Sequence, residues 1–221
     1  MIDIRGLTKT YTRSKQSVHA LRDISLAIEA GSFVAVTGPS GSGKTTLLLS
    51  LGGLIQPSVG TVSYSGQDLY KLSSSHLAGF RNRTIGFVLQ TFNLVPYLTA
   101  AENVMLPMLP SGRNGTAPKQ RALDLLEMIG LADRSDFLPR ELSVGQQQRV
   151  AIARALGNKP EVILADEPTG NLDPSLADEI LDILQDLNTN HGKTVVMVTH
   201  SPQAASRASR TLSLRDGLLI S

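Results

Sequence analysis

Short apolar runs alternate along this chain with longer segments in which apolar residues recur at helical spacing. Runs of branched apolar residues are typical of strands, and a period of about 3.6 is typical of helices. Because the predicted strands and helices alternate, the pattern predicts an α/β fold with a mostly parallel sheet. The predicted strands cover residues 2–7, 18–28, 33–36, 60–64, 85–89, 162–165 and 194–198, and the predicted helices cover residues 45–51, 100–109, 118–129, 143–156 and 174–188.

The pattern changes character between about residue 91 and residue 157. Three helical segments follow one another there without a strand between them, and loops such as residues 110–115 separate them. We therefore expect a single domain over residues 1–221. Its core should cover about residues 1–90 and 158–221, with a helical sub-lobe of about residues 91–157 inserted between them.

Composition limits the possible classes of function. The chain has 221 residues, of which 41% are apolar and 18% are charged, so we expect a globular protein. It has no cysteine, which excludes disulfides and thiolate metal sites. No apolar run reaches the roughly 20 residues that span a bilayer, so any membrane contact should go through a partner. The net charge of +2 comes from scattered residues, so no nucleic-acid partner is expected.

A glycine-rich loop between the strand at 33–36 and the helix at 45–51 matches G-x-x-x-x-G-K-[ST], the phosphate-binding loop. Its glycines let N–H groups approach phosphates, its lysine adds a positive charge, and its threonine offers a hydroxyl to Mg²⁺. A Gly/Ser loop with an incidental lysine is the alternative, but the strand before and the helix after favour ATP binding. The candidate ATP-binding residues are Gly38, Pro39, Ser40, Gly41, Ser42, Gly43, Lys44, Thr45 and Thr46; Lys44 is also a catalytic candidate and Thr45 a Mg²⁺ ligand.

Two acids follow the apolar run at residues 162–165. Ligands of α/β sheets bind at the carboxyl ends of strands, so both acids indicate the same site. Asp166 is a candidate Mg²⁺ ligand, and Glu167 is a candidate base for an attacking water molecule. The alternative is a polar strand end before Pro168 that only begins a loop. The phosphate loop favours the catalytic interpretation.

A third segment, residues 142–149, precedes a predicted helix. Ser143 and Gln146 fit a capping box, which is by itself a sufficient structural explanation for both residues. The same helix start also offers free N–H groups and the positive end of the helix dipole to an anion. Taken alone, the segment favours the cap over an anion site.

Together these segments resemble the ATP-binding subunit of ABC transporters over essentially the whole chain. Residues 142–146 resemble the family's L-S-G-G-Q signature, which serves the ATP of the opposite subunit. The resemblance implies a P-loop NTPase core, an N-terminal antiparallel β sub-lobe and an inserted α-helical sub-lobe. It also implies ATP hydrolysis with Mg²⁺, and ATP binding by Ser143, Gly145 and Gln146. Val144 stands where the family usually has glycine, but a branched residue is compatible with the first helical position.

The resemblance assigns roles to further single residues. Tyr11 corresponds to the aromatic residue that stacks on adenine, and Gln90 to the glutamine that senses Mg²⁺ and takes part in catalysis. His200 corresponds to the histidine that donates to the γ-phosphate, and residues 171–173 to the D-loop. Each has a plain alternative: an exposed loop residue for Tyr11 and Gln90, a helix N-cap for Asp173, and a strand end for His200. Their joint occurrence, in order, favours the family.

Within the family, the chain is most similar to the lipoprotein-release and macrolide-export branch, which also includes a cell-division ATPase. Residues 86–94, 98–104 and 164–173 carry this likeness. It implies a second copy that closes over two ATP molecules, and an integral membrane permease that holds the chain at the cytoplasmic face of the cell membrane. The surface around residues 90–104 should grip that partner. The alternative is an ATP-gated regulator without transport; a DNA-repair ATPase is not favoured, because cysteines and long heptads are absent.

Overall fold

The computed structural model describes residues 1–13, 16–111 and 116–220. Within these ranges there are ten strands and seven α-helices. The strands are β1 (Ile2–Arg13), β2 (Gln16–Ile28), β3 (Phe33–Thr37), β4 (Val59–Tyr64), β5 (Gln67–Asp68), β6 (Ile85–Val88), β7 (Val162–Asp166), β8 (Thr194–Thr199), β9 (Arg210–Arg215) and β10 (Leu218–Ile220). The helices are α1 (Lys44–Leu51), α2 (Ser74–Thr84), α3 (Ala100–Met105), α4 (Thr116–Met128), α5 (Val144–Ala155), α6 (Pro174–Thr189) and α7 (Pro202–Ala205).

The strands form two sheets. The first is antiparallel and has the order β2-β1-β4-β5. The second has the order β10-β9-β3-β8-β7-β6, in which five strands pair in parallel and β10 is an antiparallel edge strand. This confirms the predicted α/β class with a mostly parallel sheet and an antiparallel sheet formed largely by the N-terminal strands.

The parallel sheet is covered on both faces, as its apolar strands require. Successive residues of β3 lie on opposite faces, so Val34 and Val36 pack with α1 and the antiparallel sheet. Phe33 and Ala35 pack on the other face with apolar residues of α3, α4, α5 and α6. The helices α3 to α5, which lie in the predicted helical sub-lobe, therefore share one apolar core with a face of the sheet.

The structure contains elements that the apolar pattern does not reveal. Helix α2 has no buried residue, so no apolar stripe marks it in the sequence. Strand β9 has a single buried side chain, that of Leu214, although it pairs with β3 along the sheet. The helix predicted over residues 100–109 is α-helical only to Met105, and a 3₁₀ helix follows over Leu106–Ser111. Pro107 explains this early end, because proline has no N–H to continue the helical hydrogen bonds.

Helix α6 is the long amphipathic helix that the pattern predicts. Ile180 and Leu187 lie on its buried face. Asp173 caps its first turn by accepting a hydrogen bond from the N–H of Leu176 at 3.1 Å, and Pro174 occupies the first helical position. No helix in the described ranges combines the length and the apolarity that a membrane span requires.

Asn103 fixes the irregular segment that precedes α3. Its side chain is fully buried, and its Oδ1 accepts a hydrogen bond from the N–H of Val95 at 2.7 Å. Its Nδ2 donates to the carbonyl oxygens of Val95, Leu98 and Thr99 at 3.1, 2.9 and 3.0 Å. The side-chain amide thus supplies partners that the backbone of an irregular segment cannot find in regular secondary structure.

We predict that Asn103→Ala lowers the free energy of unfolding by about 3 kcal/mol, because several buried backbone groups lose their partners. Urea denaturation followed by circular dichroism measures the change. Asn190→Ala is the matched control, since Asn190 is exposed and, among the described residues, its side chain bonds only to the exposed Asp186. A loss at Asn103 no larger than the loss at Asn190 would contradict this role.

Candidate active site

In the loop between β3 and α1, two glycines pack closely against neighbouring strands. Gly38 and Gly43 have φ angles of 152° and 104°. A Cβ atom at Gly38 would lie 2.0 Å from the carbonyl oxygen of Leu214, and one at Gly43 would lie 2.2 Å from that of Ala20. Strands β9 and β2 therefore approach the loop so closely that only glycine fits at these two positions.

Unused hydrogen-bond donors surround a cavity over this loop. The cavity measures about 180 Å³ and lies between Ala20 and residues 41–46. The Oγ of Ser42 is buried and has no hydrogen-bond partner in the described part of the chain. In this loop, the N–H groups of Gly41, Gly43, Lys44 and Thr45 donate no hydrogen bond to any other described residue. Unpaired donors on a glycine-rich loop at a helix N-terminus can bind an anion.

Lys44 is buried within the same loop. Its side chain is held by the loop itself, because Nζ donates to the carbonyl oxygens of Gly38 and Pro39 at 2.7 and 3.0 Å. Two carbonyl groups satisfy only part of the three donors of an ammonium group, and a buried charge needs strong partners. Pro39 and Ser40 are exposed, whereas Thr46 lines the cavity. The ammonium group is thus available to a stronger acceptor.

Strand β7 brings Asp166 to the first turn of α1. The Oγ1 of Thr45 donates to Oδ1 of Asp166 at 3.1 Å. Burial raises the pKa of Asp166; its hydrogen bond with Thr45 and the charge of Lys44 oppose this rise, while the Glu167 carboxylate adds to it. Two oxygen ligands from adjacent elements suit a hard cation such as Mg²⁺.

Glu167 has an unusual backbone conformation directly after β7. Its φ angle is 45°, which residues with a side chain rarely adopt, and its N–H donates to the carbonyl of Val198 at 2.9 Å. Its Oε2 accepts a hydrogen bond from the N–H of His200 at 3.2 Å and lies 2.9 Å from Nδ1 of the same histidine. Strained backbone of this kind concentrates at functional sites, where the surrounding structure holds it.

Gln90 approaches the same loop from the end of β6. A Cβ atom at Gly170 would lie 3.3 Å from Nε2 of Gln90 and 3.5 Å from Cβ of Glu167. The Nδ2 of Asn171 donates to the backbone carbonyl of Gln90 at 3.1 Å. The structure therefore brings the predicted residue Gln90 next to the loop that carries Glu167.

Tyr11 lies on the antiparallel sheet, beside the loop rather than at the carboxylates. It pairs with Val18 across the strands β1 and β2, and the two side chains are 43% and 63% exposed. Val18 lies two residues before Ala20, at which the pairing of β1 and β2 shifts register. Ala20 lines the loop cavity, and Nζ of Lys9 lies 5.1 Å from the centre of the tyrosine ring. An exposed aromatic ring thus lies on the strand pair that contributes Ala20 to the loop cavity.

The predicted capping box is present at the start of α5. The Oγ of Ser143 accepts from the N–H of Gln146 at 3.3 Å, and Oε1 of Gln146 accepts from the N–H of Ser143 at 2.9 Å. Gly145 packs against Leu176, because a Cβ atom there would lie 3.0 Å from the leucine side chain. Val144 is 45% exposed. None of these residues lines the cavity over the phosphate loop of the same chain.

Gln148 contacts the loop that carries Glu167, although the sequence pattern did not mark it as a residue of the site. Its side chain is fully buried, and its Nε2 donates to the carbonyl oxygen of Pro168 at 2.7 Å. Pro168 directly follows Glu167, so this bond ties α5 to the loop that carries the carboxylate. Helical spacing could have shown that Gln148 is buried, because it lies three residues after Gly145 and four before Ile152, and both of these residues are buried.

Known proteins that resemble this chain match it over its full length. A family model described as ABC transporter matches residues 21–170. The chain is 47% identical to the lipoprotein-releasing system ATP-binding protein LolD of Syntrophus aciditrophicus, covering 100% of this chain and 99% of that protein. It is 48% identical to the macrolide export ATP-binding/permease protein MacB of Chlorobaculum tepidum, covering 100% of this chain but 34% of that longer protein. The dimeric post-hydrolysis structure of the ATP-binding cassette MJ0796, bound to ADP and Pi, has a TM-score of 0.93 and 43% identity, with 100% of this chain and 97% of that chain covered.

We predict that Asp166→Asn raises the stability of the nucleotide-free chain at pH 7. Burial raises the pKa of Asp166, so the folded chain binds this proton more tightly than the unfolded chain does. The ionised carboxylate therefore destabilises the fold above its raised pKa, and this penalty vanishes below the ordinary carboxyl pKa. Calorimetry should give the variant a higher Tm than the wild type at pH 7, with a difference that shrinks as the pH falls.

Asp216→Asn is the control for this measurement. The Asp216 side chain is 82% exposed, and asparagine tolerates its φ angle of 52°. Its Tm should differ little from that of the wild type at either pH. Equal gains in the two variants, or a gain at residue 166 that does not depend on pH, would show that burial of the Asp166 charge is not the cause.

Proposed function

This chain belongs to the ABC transporter family, and we propose that it is the subunit that hydrolyses ATP to ADP and phosphate and so drives a membrane transporter. The observation that carries this proposal is the meeting of the phosphate loop, Asp166, Glu167 and His200 at one edge of the parallel sheet. Phosphoryl transfer depends on positioning and charge stabilisation, and these groups can supply both.

The phosphate loop would bind the β- and γ-phosphates of ATP. Phosphate oxygens carry formal charge and accept stronger hydrogen bonds than neutral carbonyl groups do. Lys44 would therefore exchange the carbonyl oxygens of Gly38 and Pro39 for phosphate oxygens. The unpaired N–H groups of Gly41, Gly43, Lys44 and Thr45 and the buried hydroxyl of Ser42 support the same role, because they gain the partners that they otherwise lack.

Thr45, Asp166 and Gln90 would hold Mg²⁺. All three offer oxygen atoms, which Mg²⁺ prefers, and Thr45 and Asp166 are already in contact. The bound ion would neutralise negative charge on the β- and γ-phosphates. A cation beside Asp166 would also offset the burial that raises the pKa of this carboxyl group, which supports the assignment.

Glu167 would orient the attacking water molecule and accept its proton. One carboxylate oxygen, Oε2, is held by two contacts with His200, whereas Oε1 makes no hydrogen bond within the described ranges and is available to water. The other ring nitrogen of His200, Nε2, would donate a hydrogen bond to the γ-phosphate. Glu167 would thus act on the attacking water molecule, while His200 would act on the phosphate group that the water attacks.

Tyr11 would stack on the adenine base. It is an exposed aromatic side chain on β1, opposite Val18 of the strand that contributes Ala20 to the loop cavity. Aromatic faces stack on bases without a requirement for hydrogen bonding, and offset stacking is worth about 1 kcal/mol. The nearby ammonium group of Lys9 would add positive charge beside the nucleotide.

A second copy of the chain would complete each ATP site. Ser143, Gly145 and Gln146 are absent from the lining of the chain's own loop cavity, although their helix start suits a phosphate group. The absence of this segment from the cavity and its suitability for a phosphate group are both explained if it contacts the ATP held by the other copy. Two solved structures of MJ0796, at 43% and 44% identity, are described as dimeric, which supports the same arrangement.

A groove beside Gln90 would receive the membrane permease. Leu89 and Leu106 line it but none of residues 90–104 does, so this groove borders the predicted docking surface. The groove measures about 460 Å³, and its walls come from α2, β6, the 3₁₀ segment after α3 and the end of α5. Leu54, Phe87 and Leu89 make it partly apolar, while Arg81 provides positive charge. A groove of this kind accepts a short amphipathic helix. We infer that the chain works on the inner face of the cell membrane, held there by its partner.

The relatives favour transport over regulation alone. The protein from Syntrophus aciditrophicus is described as part of a lipoprotein-releasing system, and the one from Chlorobaculum tepidum as a macrolide export ATP-binding/permease protein. We therefore propose export or envelope lipoprotein transport as the process that this subunit drives. No feature of the described residues specifically supports an ATP-gated regulator.

We predict that Glu167→Gln binds ATP and dimerises but hydrolyses ATP at least about 100-fold more slowly, because the amide cannot accept the proton of water. Phosphate release measures hydrolysis, and analytical ultracentrifugation with ATP measures dimerisation. The matched control is Glu161→Gln, since Glu161 precedes the same strand β7 at its opposite end and is exposed. The proposal fails if both variants hydrolyse ATP equally, or if Glu167→Gln stays monomeric at saturating ATP together with its permease.

We predict that Leu54→Asp reduces recovery of the permease about tenfold or more, because docking would bury a charge where an apolar side chain stood. Leu54 is 50% exposed and lines the groove. Co-purification of an integral membrane protein from detergent-solubilised native membranes measures the effect. Leu218→Asp is the control, since Leu218 is 46% exposed but lies on β10, outside the groove. Equal recovery with both variants would place the docking surface elsewhere.

A further inference from the structure

A separate cavity lies between α4 and the end of α6. It measures about 230 Å³ and shares no lining residue with the phosphate-loop cavity or with the groove beside Gln90. Its walls come from α4, from residues at the end of α5 and from the turn between α6 and β8. The volume is below the roughly 300 Å³ at which drug-sized ligand sites begin, so the cavity suits a small ligand.

Four basic residues line this cavity and no acidic residue does: Arg121, Lys159, His191 and Lys193. The side chains of Arg121, Lys159 and Lys193 make no hydrogen bond and no ion pair within the described ranges. Positive charges that gather without a counter-ion repel one another and create a positive potential in the space between them. An anion in the cavity would relieve that repulsion.

Arg121 provides a second and independent observation. Its Nε is buried and has no hydrogen-bond partner in the part of the chain that the structure describes. A buried donor without an acceptor is unfavourable and calls for an explanation. Arg149 also has a buried, unpaired Nε, but its Nη atoms reach the carbonyl of Ile129 at 3.5 Å and the carboxylate of Glu179 at 3.8 Å. Arg121 has no such substitute contact.

The acidic side chains nearest in sequence to these cations form no ion pair with Arg121, Lys159 or Lys193 within the described ranges. Glu161, two residues after Lys159, lines a neighbouring cavity together with Lys193 but lies outside the cavity between α4 and α6. Asp186 lies 3.4 Å from Nε2 of His191 and accepts a hydrogen bond from Asn190. Asp124, three residues after Arg121 on α4, accepts from Nε2 of Gln120 at 2.9 Å. Only the imidazole of His191 therefore has an acidic partner, and the other three cations remain uncompensated within the described ranges.

Apolar side chains complete the cavity. Leu125, Leu156 and Leu187 line it and are 1%, 4% and 3% exposed, and Met128 lines it with 44% exposure. An apolar surface with a few polar groups is the usual composition of a small-molecule site. Burial of each methylene group against it strengthens binding about fourfold. The cavity thus combines a charge for a headgroup with a surface for a short chain.

We propose that this cavity binds a small anionic amphiphile, namely a carboxylate or a phosphate monoester that carries a short alkyl chain. The anion contacts Arg121 with Lys159 or Lys193, and the alkyl chain lies on the three buried leucines. Because α4 forms one wall and the α6–β8 turn another, the ligand connects the helical segment with the sheet. Its binding therefore stabilises the folded chain by mass action and raises the Tm.

Isothermal titration calorimetry of the full chain tests this proposal without ATP, so its outcome does not depend on the proposed ATPase function. Butanoate, hexanoate and octanoate differ in the length of the alkyl chain, and octyl phosphate differs from octanoate in its headgroup. Inorganic phosphate has no alkyl chain, and octylamine carries a positive charge in place of the negative one. We expect octanoate or octyl phosphate to bind, with affinity that rises up to about fourfold for each added methylene group. Whichever headgroup binds more tightly identifies the source class, carboxylate or phosphate monoester.

Variants show whether binding occurs in this cavity. Arg121→Gln should weaken binding about tenfold, because it removes a charge-assisted hydrogen bond, and the double change Lys159→Gln with Lys193→Gln should do so independently. Lys119→Gln is the matched control, since Lys119 is exposed on the same helix and does not line the cavity. The proposal is overturned if neither anion binds, if octylamine or inorganic phosphate binds as tightly as the octyl anions, or if the cavity variants bind like Lys119→Gln. Such results would mean that the basic side chains only extend into water over an apolar surface.

Discussion

The whole site depends on the parallel pairing of β8 between β3 and β7. The three strands run in the same direction and in register, so that Thr37 lies opposite Thr199, and Asp166 lies opposite Val198. The residues that follow these strands must therefore meet at one edge of the sheet. The phosphate loop follows β3, Glu167 follows β7 and His200 follows β8. This is why Thr45 contacts Asp166, which lies 121 positions away in the chain, and Glu167 contacts His200, which lies 33 positions away. The phosphate loop also requires glycine at positions 38 and 43, because the side chain of any larger residue would collide with β9 or β2.

The nucleotide-free site is ordered by contacts with its own chain, and several of these contacts are unfavourable. Lys44 is held by two neutral carbonyl groups, Glu167 has a strained backbone, and burial raises the pKa of Asp166. A phosphate group would give Lys44 stronger acceptors, and a cation would stabilise the ionised carboxylate of Asp166. Ligand binding would thus offset part of the free-energy cost of holding these groups in place, as is general for preorganised catalytic sites.

Two buried polar side chains connect this site to the helical segment. Gln148 ties α5 to the residue after Glu167, and Asn103 ties α3 to the segment that follows Gln90. The start of α5 therefore has a direct structural link to the catalytic loop of its own chain, although its capping box does not line that chain's phosphate cavity.

The sequence by itself determined the class of the fold, the phosphate loop and the identity of the carboxylates, because these features are local. Apolar runs, glycine spacing and the order of Lys44, Thr45, Asp166 and Glu167 can be read without knowing where the chain turns. The capping box of Ser143 and Gln146 is local in the same way, and it is present as predicted. Only the tertiary structure decided what the sheet brings together: the contact of Thr45 with Asp166, the pair of Glu167 and His200, and the burial of Gln148 and Asn103. It also revealed α2 and β9, which have too few buried apolar side chains to be recognised, and the cluster around Arg121, whose members lie on separate elements. Contacts between distant segments follow from strand order and register, and no local pattern of residues encodes either of them.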